Sequence, residues 1–138
     1  MRPRGFLDTN VFVYTQSKIE PAKRDIALMA LDKYQCCTST QVFSEISNVM
    51  IKKFKMPIVG VKQLLAAING HCQVNVVTYE TVQKALDLKD RYGYSYYDSL
   101  IWAAAILSDC DYVFSEDLQD GQRIDDKMEI INIFTRTI

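Results

Sequence analysis

Residues 6–14 read FLDTNVFVY, an apolar stretch interrupted by three polar residues, Asp8-Thr9-Asn10. A buried polar group costs kilocalories of folding free energy unless a partner compensates for it. The apolar residues on both sides predict a short buried strand ending at Asp8 and a helix starting near Asn10, with Thr9 or Asn10 as its N-cap. This stretch therefore predicts a carboxylate at the end of a buried strand, and other parts of the chain must supply its partners.

Beyond this stretch, short apolar runs alternate with segments of helical periodicity. The apolar runs predict strands near 5–8, 35–38, 73–77, 111–115 and 129–134. The periodic segments predict helices near 10–17, 21–34, 40–54, 59–69, 79–92 and 96–108. The alternation predicts one α/β domain over residues 1–138, with helices on both faces of a parallel sheet of about five strands.

Composition limits the classes of protein to consider. The chain has 138 residues, 49% of them hydrophobic, which is enough for one domain with a full core. No apolar run reaches the ~20 residues of a membrane span, and Asp8 interrupts the only apolar stretch near the N-terminus, so we expect a cytoplasmic protein with no membrane partner. The net charge of −1 excludes a globally basic nucleic-acid binder.

The four cysteines do not form a zinc-binding pattern. No C-x-x-C pair occurs, and the sole histidine, His71, has only Cys72 beside it. A structural zinc site needs four Cys or His ligands at suitable spacing. Each cysteine lies in or next to an apolar segment, so we expect four buried free thiols.

Four acidic residues lie where the predicted elements would bring them together. Asp8 ends the first strand and Asp117 follows the fourth, and ligands of such sheets bind at the carboxyl ends of strands where the strand order reverses. Glu45 lies on the third helix, and Asp98 lies in the first turn of the central helix. Each also has an ordinary explanation. Asp8 could cap a helix and Asp117 could be a turn residue. Glu45 could lie on the surface, and Asp98 could be favoured by the helix N-terminus.

Four carboxylates in one cleft repel each other, and a bound divalent cation would relieve that repulsion. Oxygen ligands without His or Cys suit Mg²⁺ or Mn²⁺ better than zinc. Such a cation would activate water and neutralise a phosphate, so the acids predict metal-assisted phosphodiester hydrolysis.

Four motifs together resemble PIN domains, in particular toxins of the VapBC type. They are FLDTNV at 6–11, QVFSEI at 41–46, YYDSLI at 96–101 and FSEDLQDG at 114–121. Their order and spacing extend the resemblance over essentially the whole chain. It implies a PIN-like three-layer α/β/α fold and a metal-dependent endoribonuclease that cleaves single-stranded RNA with Mg²⁺ or Mn²⁺.

The resemblance also assigns roles to residues. The implied catalytic and metal-binding acids are Asp8, Glu45, Asp98 and Asp117. The implied supporting residues are Thr9, Asn10, Ser115 and, as a further outer-shell acid, Asp120. The family motif does not account for Glu116, which we interpret as a solvated turn residue. The resemblance implies a homodimer and an antitoxin partner whose arginine or lysine enters the acidic groove.

Two other functions remain open at this stage. One is a non-catalytic nucleic-acid-binding or adaptor PIN-like domain, although such a domain has no need for a repulsive acid cluster. The other is a phosphoryl-transfer enzyme of the haloacid-dehalogenase type, although Asn10 stands where that motif needs a second aspartate.

Two clusters outside the acids have alternative interpretations. Lys52, Lys53 and Lys55 form either a solvated helix end or a contact to the RNA backbone. The tyrosines at 92, 94, 96 and 97 serve either base stacking or packing in the core or a dimer interface.

Overall fold

The structure is a computed structural model, and it describes residues 2–135. Strands and helices alternate along the chain, as the sequence predicts. The elements are β1 (Arg4–Leu7), α1 (Thr9–Thr15), α2 (Pro21–Lys33), β2 (Gln35–Ser39), α3 (Thr40–Lys52), α4 (Ile58–His71), β3 (Gln73–Asn75), α5 (Tyr79–Tyr92), α6 (Tyr96–Leu107), β4 (Tyr112–Phe114), β5 (Arg123–Ile124) and β6 (Met128–Ile131).

The strands form one sheet in the order β3-β2-β1-β4-β6-β5. Every neighbouring pair is parallel except β5 and β6, and β1 lies between β2 and β4. The predicted α/β class and mostly parallel sheet are therefore confirmed. The structure adds that the first and fourth strands are neighbours. The sheet has six strands instead of about five, because the two-residue strand β5 is too short to leave a periodic pattern.

The layer formed by α5 and α6 follows directly from local sequence. Helix α6 is apolar nearly all round, and its residues from Ser99 to Ala105 are buried, with Trp102 fully enclosed. Helix α5 begins with a capping box at Thr78 and ends at Gly93, whose φ of 76° favours glycine. A buried α6 covered by an amphipathic α5 is the expected way to enclose one face of the sheet.

The other helices complete the three-layer α/β/α fold. Helix α1 packs against α2 and α3, and both of these contact β2. Helix α3 carries a clear apolar stripe in which Val42, Ile46 and Met50 are fully buried. None of the helices within residues 2–135 is long and apolar enough to cross a membrane.

The expectation of four free thiols is wrong for two of them. Cys36 and Cys72 form a disulfide, with their Cα atoms 4.7 Å apart. Cys36 lies in β2 and Cys72 immediately precedes β3, so the pairing of these two strands brings the residues together. Cys37 and Cys110 are free and buried as expected. The disulfide depends on strand pairing across 36 residues, which no local pattern of cysteines reveals.

Gly5 allows the close approach of β1 to Phe114, since a Cβ atom at this position would overlap the Phe114 ring. We predict that Gly5→Ala lowers the free energy of unfolding by about 1–3 kcal/mol, the usual cost of overpacking a core. Urea unfolding would measure the change.

The matched control for this prediction is Gly70→Ala, because a Cβ atom there would meet nothing within 4 Å. Gly70 lies inside α4, so alanine should raise stability by up to about 1 kcal/mol. Equal stability of the two variants would contradict the packing argument.

Candidate functional site

The carboxyl ends of β1 and β4 face the first turns of α1 and α6 and the middle of α3. A cavity of about 210 Å³ lies there. Its lining residues are Asp8, Thr9, Asn10, Glu45, Tyr97, Asp98, Ile101 and Asp117. All four acids singled out from the sequence therefore line one cavity. It lies where the chain leaves β1 and β4, as expected for a sheet whose order reverses between these strands.

Asp8 is the most buried of these acids, with 8% of its surface exposed. Its Oδ1 accepts a hydrogen bond from Thr9 N (2.7 Å), and its Oδ2 accepts one from Ser115 Oγ (2.8 Å). Asp8 itself is the N-cap of α1, so the predicted cap at Thr9 or Asn10 is wrong. Because Asp8 accepts the hydrogen bond from the first N–H of the helix, the side chains of Thr9 and Asn10 are available for contacts with other residues.

Burial raises the pKa of Asp8 to about 6. The hydrogen bonds from Ser115 and Thr9 act in the opposite direction, and the negative charges of Glu45 and Asp117 add to the increase. Desolvation disfavours the charged form of a carboxyl group, and nearby like charges do the same. The raised pKa thus reflects both the burial of Asp8 and the proximity of two other acids.

Glu45 is held by two donors. Its Oε1 accepts a hydrogen bond from Thr9 Oγ1 (2.5 Å), and its Oε2 accepts one from Gln41 Nε2 (3.2 Å). Gln41 also donates to the carbonyl oxygen of Tyr97 (3.3 Å), which links α3 to the first turn of α6. Gln41 was not predicted from the sequence, although its position four residues before Glu45 places both on one helix face.

Asp117 is held by Asn10. The Asn10 Nδ2 group donates to Asp117 Oδ2 (3.0 Å) and to Ser115 Oγ (3.2 Å), while Asn10 Oδ1 accepts from Glu116 N (3.2 Å). Ser115 Oγ also accepts from Asp117 N (3.2 Å). One amide side chain thus holds three consecutive residues of the segment after β4.

Asp98 lies in the first turn of α6, where Ser95 Oγ accepts a hydrogen bond from its backbone N–H (3.1 Å). A carboxylate in this position is also favoured by the helix dipole. The ordinary explanation for Asp98 and its place in the cavity are therefore both consistent with the structure.

Asp120 and Glu116 have partners outside the acidic cavity. Asp120 is not among the cavity-lining residues, and its Oδ1 accepts a hydrogen bond from Asn132 N (2.8 Å). The interpretation of Glu116 as a solvated turn residue is wrong, since its carboxylate is paired with Lys23 and accepts a hydrogen bond from Tyr14. Both partners are about 100 residues away in sequence, so no local pattern reveals them.

The chemistry of the donors fits a hard divalent cation, since the cavity presents carboxylate oxygens and neither sulfur nor imidazole. In the described part of the chain, however, no three His, Cys, Asp or Glu side chains converge closely enough to form a ready-made metal site. The oxygens of Asp8, Glu45 and Asp117 are directed at separate hydrogen-bond donors. Gln41 Oε1 is buried without a hydrogen-bond partner among residues 2–135, which leaves an additional acceptor beside Glu45.

A larger groove of about 1090 Å³ runs from this cavity between α1 and α3. It shares Thr9, Asn10, Glu45 and Asp117 with the cavity. Its lining away from the acids includes the apolar residues Val13, Val49, Met50, Phe54 and Met56 and the basic residues Lys18, Lys53 and Lys55. A bound segment in this groove would thus contact an apolar surface and the acids at the same time.

The tyrosine cluster divides into two parts. Tyr92 and Tyr94 make edge contacts with Trp102, with ring centroids 6.2 and 4.9 Å apart, and belong to the core. Tyr96 also packs partly against the core, whereas Tyr97 is 67% exposed and lines the acidic cavity. Of these four tyrosines, only Tyr97 is therefore placed to stack on a ligand in the cavity.

The sequence model of the PIN domain family matches residues 5–126. The chain therefore belongs to the PIN domain family, and the resemblance stated from the four motifs is confirmed. No curated protein has a sequence that matches this chain.

Solved structures share the fold at low sequence identity. A toxin–antitoxin complex from Klebsiella pneumoniae superposes with a TM-score of 0.70 at 18% identity, covering 94% of this chain and 97% of that one. VapBC2 from Rickettsia felis, bound to a DNA fragment from its promoter, gives 0.64 at 17% identity, covering 94% and 99%. Mycobacterium tuberculosis VapC20, described as a toxin that cleaves the sarcin–ricin loop, gives 0.62 at 16% identity, covering 82% and 91%. These similarities establish the shared fold.

We predict that Asp8→Asn stabilises the protein in metal-free buffer at pH 7. Folding raises the pKa of Asp8 from 3.8 to about 6, so the folded state holds this proton more tightly and loses stability as pH rises from about 4 through 6. The difference corresponds to up to about 3 kcal/mol at pH 7. Urea unfolding from pH 4 to 8 would show the variant's advantage growing from about pH 4 to pH 6 and then levelling off.

Asp87→Asn is the matched control, because Asp87 is an exposed acid of α5 outside the cavity. It should not change the pH dependence. Between pH 4 and 6 the wild type should lose more stability than Asp8→Asn. Equal losses would contradict the raised pKa of Asp8.

Proposed function

We propose that this protein is a Mg²⁺- or Mn²⁺-dependent endoribonuclease that cleaves single-stranded RNA and acts as the toxin of a toxin–antitoxin pair. The observation that carries the proposal is the meeting of Asp8, Glu45, Asp98 and Asp117 around one cavity of a PIN domain. The resemblance noted from the motifs implies nuclease activity for this family. A cytoplasmic location belongs to the same proposal, since RNA and an antitoxin would be met there.

The four acids would hold the cation, with Asp8 fixed most firmly because it is buried and bonded to both Thr9 and Ser115. A bound cation would neutralise charge on the scissile phosphate and lower the pKa of an attacking water. Thr9 and Gln41 would orient Glu45, and Asn10 would orient Asp117. These donors are uncharged, so they direct the carboxylates without cancelling the negative charge that attracts the cation.

The site also suggests the form of the product. The cavity lining contains no histidine, cysteine or serine to act as a nucleophile. An in-line attack by water on phosphorus, with the 3′ oxygen as the leaving group, would break the P–O3′ bond and leave a 5′-phosphate and a 3′-hydroxyl on the RNA. Single-stranded RNA suits an open cavity at the carboxyl ends of the strands, since its bases are unstacked and its backbone is accessible. The exposed ring of Tyr97 would offer a surface for one base.

The proposed activity is tested by incubating purified protein with labelled single-stranded RNA and Mn²⁺ and mapping the new ends. We expect 5′-phosphate ends, no cleavage in EDTA, and at least about a hundredfold loss of rate in Asp98→Asn, since the cation would lose a ligand and the phosphate its counter-charge. Asp87→Asn serves as the control that keeps full activity. Calorimetry should also show weaker Mn²⁺ binding by Asp8→Asn.

Several results would contradict this function. Cleavage that persists in EDTA, cyclic-phosphate ends, or full activity of Asp98→Asn would each exclude the metal-dependent mechanism. Equal Mn²⁺ affinity of the wild type and Asp8→Asn would exclude the metal assignment. Binding of RNA without cleavage, with Mn²⁺ bound, would favour the non-catalytic adaptor instead.

The proposed antitoxin would occupy the groove between α1 and α3. Structural neighbours of this chain were solved as toxin–antitoxin complexes, which supports such a partner. An arginine or lysine of that segment would reach Glu45 and Asp117, where a charge-assisted pair could take the place of the cation. We also propose a homodimer; sedimentation at micromolar concentration that shows only the 15.9 kDa chain would exclude it.

We predict that Val49→Asp weakens binding of the proposed antitoxin by at least about tenfold, because a desolvated charge would face the partner's apolar side chains. Copurification after co-expression measures this. Leu86→Asp is the control, since Leu86 is 48% exposed on α5 outside the groove. Undiminished capture by Val49→Asp would place the partner elsewhere.

A further inference from the structure

The segment that carries Ser115 and Asp117 is attached to the helical layer by the side chain between them. The two flanking side chains are directed into the site, where Ser115 donates to Asp8 and Asp117 accepts from Asn10. The Glu116 side chain instead contacts α1 and α2. Its Oε1 accepts a hydrogen bond from Tyr14 Oη (2.6 Å), and its Oε2 accepts one from Lys23 Nζ (2.5 Å).

The three side chains form a closed arrangement, which we call the Glu116 anchor, consisting of Tyr14, Lys23 and Glu116. Lys23 Nζ also donates to Tyr14 Oη (3.1 Å) and lies 4.8 Å from the centre of the Tyr14 ring. Phe134 packs edge-on against the same ring at 4.8 Å between centroids. Each of the three side chains is thus held by the other two. An isolated surface ion pair loses side-chain entropy when it forms, and here the additional contacts already restrict the side chains.

Helix α1 holds this segment at two points one turn apart. Asn10 binds Ser115, the backbone N–H of Glu116 and Asp117, and Tyr14 binds the Glu116 carboxylate. Residues four apart on a helix lie on the same face, so both contacts are made from one side of α1. Two attachments prevent the segment from rotating about either one.

We propose that the Glu116 anchor is a positioning device that fixes Asp117 and Ser115 relative to Asp8 and thereby sets the affinity of the site for its divalent cation. This inference rests on the proposed metal-dependent nuclease function and extends it to residues outside the cavity. Tyr14 and Glu116 line the adjoining groove, but none of the three residues lines the acidic cavity, so their effect on the cation is transmitted through Asn10, Ser115 and Asp117.

The test compares Glu116→Gln with Glu20→Gln. Both substitutions remove one negative charge near Lys23, but Glu20 lies 3.9 Å from Lys23 Nζ and belongs to the start of α2, not to the segment. Tyr14→Phe, which removes a single hydroxyl, is the second variant in case Glu116→Gln folds poorly. Each protein is examined by amide hydrogen exchange without metal, by calorimetry with Mn²⁺, and by kcat and KM on labelled single-stranded RNA.

We expect Glu116→Gln to exchange the amides of 116 and 117 at least about tenfold faster than the wild type, since the segment would be held at one point only. Mn²⁺ affinity should fall by about tenfold, in the range found when groups that orient metal ligands are removed, and kcat should fall with it. Tyr14→Phe should show the same changes to a smaller extent. Glu20→Gln should match the wild type in all three measurements.

The three measurements test separately whether the anchor positions the segment and whether it affects cation binding. Unchanged exchange at 116 and 117 in Glu116→Gln would overturn the positioning role, whatever the metal does. Faster exchange with unchanged Mn²⁺ affinity would overturn the link between the anchor and the cation. A wild-type protein that neither binds Mn²⁺ nor cleaves RNA would overturn the proposed function and the cation link together, and the exchange result would still decide whether the anchor positions the segment.

Discussion

The hydrogen bond from Ser115 Oγ to Asp8 Oδ2 joins the carboxyl ends of the two central strands of this protein. It compensates a carboxylate that is only 8% exposed and whose pKa burial raises to about 6. Ser115 is itself fixed to the sheet, since its backbone N–H donates to the carbonyl oxygen of Ile131. Because the sheet is rigid, this bond fixes where Asp8 stands, and the surrounding polar groups are arranged around that position.

The consecutive residues Asp8, Thr9 and Asn10 make contacts with different parts of the site. Asp8 caps α1, Thr9 donates to Glu45, and Asn10 donates to Asp117. Successive residues at the start of a helix point in different directions, so three neighbours in sequence can reach three different elements. The three polar residues inside an apolar stretch are thus explained by contacts to α3 and to the segment after β4.

The fold was largely predictable from sequence because its elements carry strong local signals. The apolar α6, the capped and glycine-terminated α5, and the strand before Asp8 follow from periodicity and end signals. The adjacency of β1 and β4 was not predicted, since local patterns do not reveal the order of strands in a sheet. Strand β5 and the disulfide were missed, since two residues carry no period and a bridge across paired strands has no local pattern. The site was predictable as a set of residue types: the four acids do line one cavity, but their hydrogen-bond partners were mostly not foreseen.

By itself, the sequence determined which residues carry the carboxylates of the cavity, on which elements they lie, and that the chain forms a mostly parallel α/β sheet, because these properties depend on local side-chain chemistry and spacing. Only the tertiary structure decided what each carboxylate contacts. Glu116 shows the difference clearly, since its neighbours in sequence suggest a solvated turn, whereas Tyr14 and Lys23 bind it from helices that precede it by roughly 100 residues. Contacts of this range arise from how the layers pack, and packing depends on the whole set of buried side chains at once.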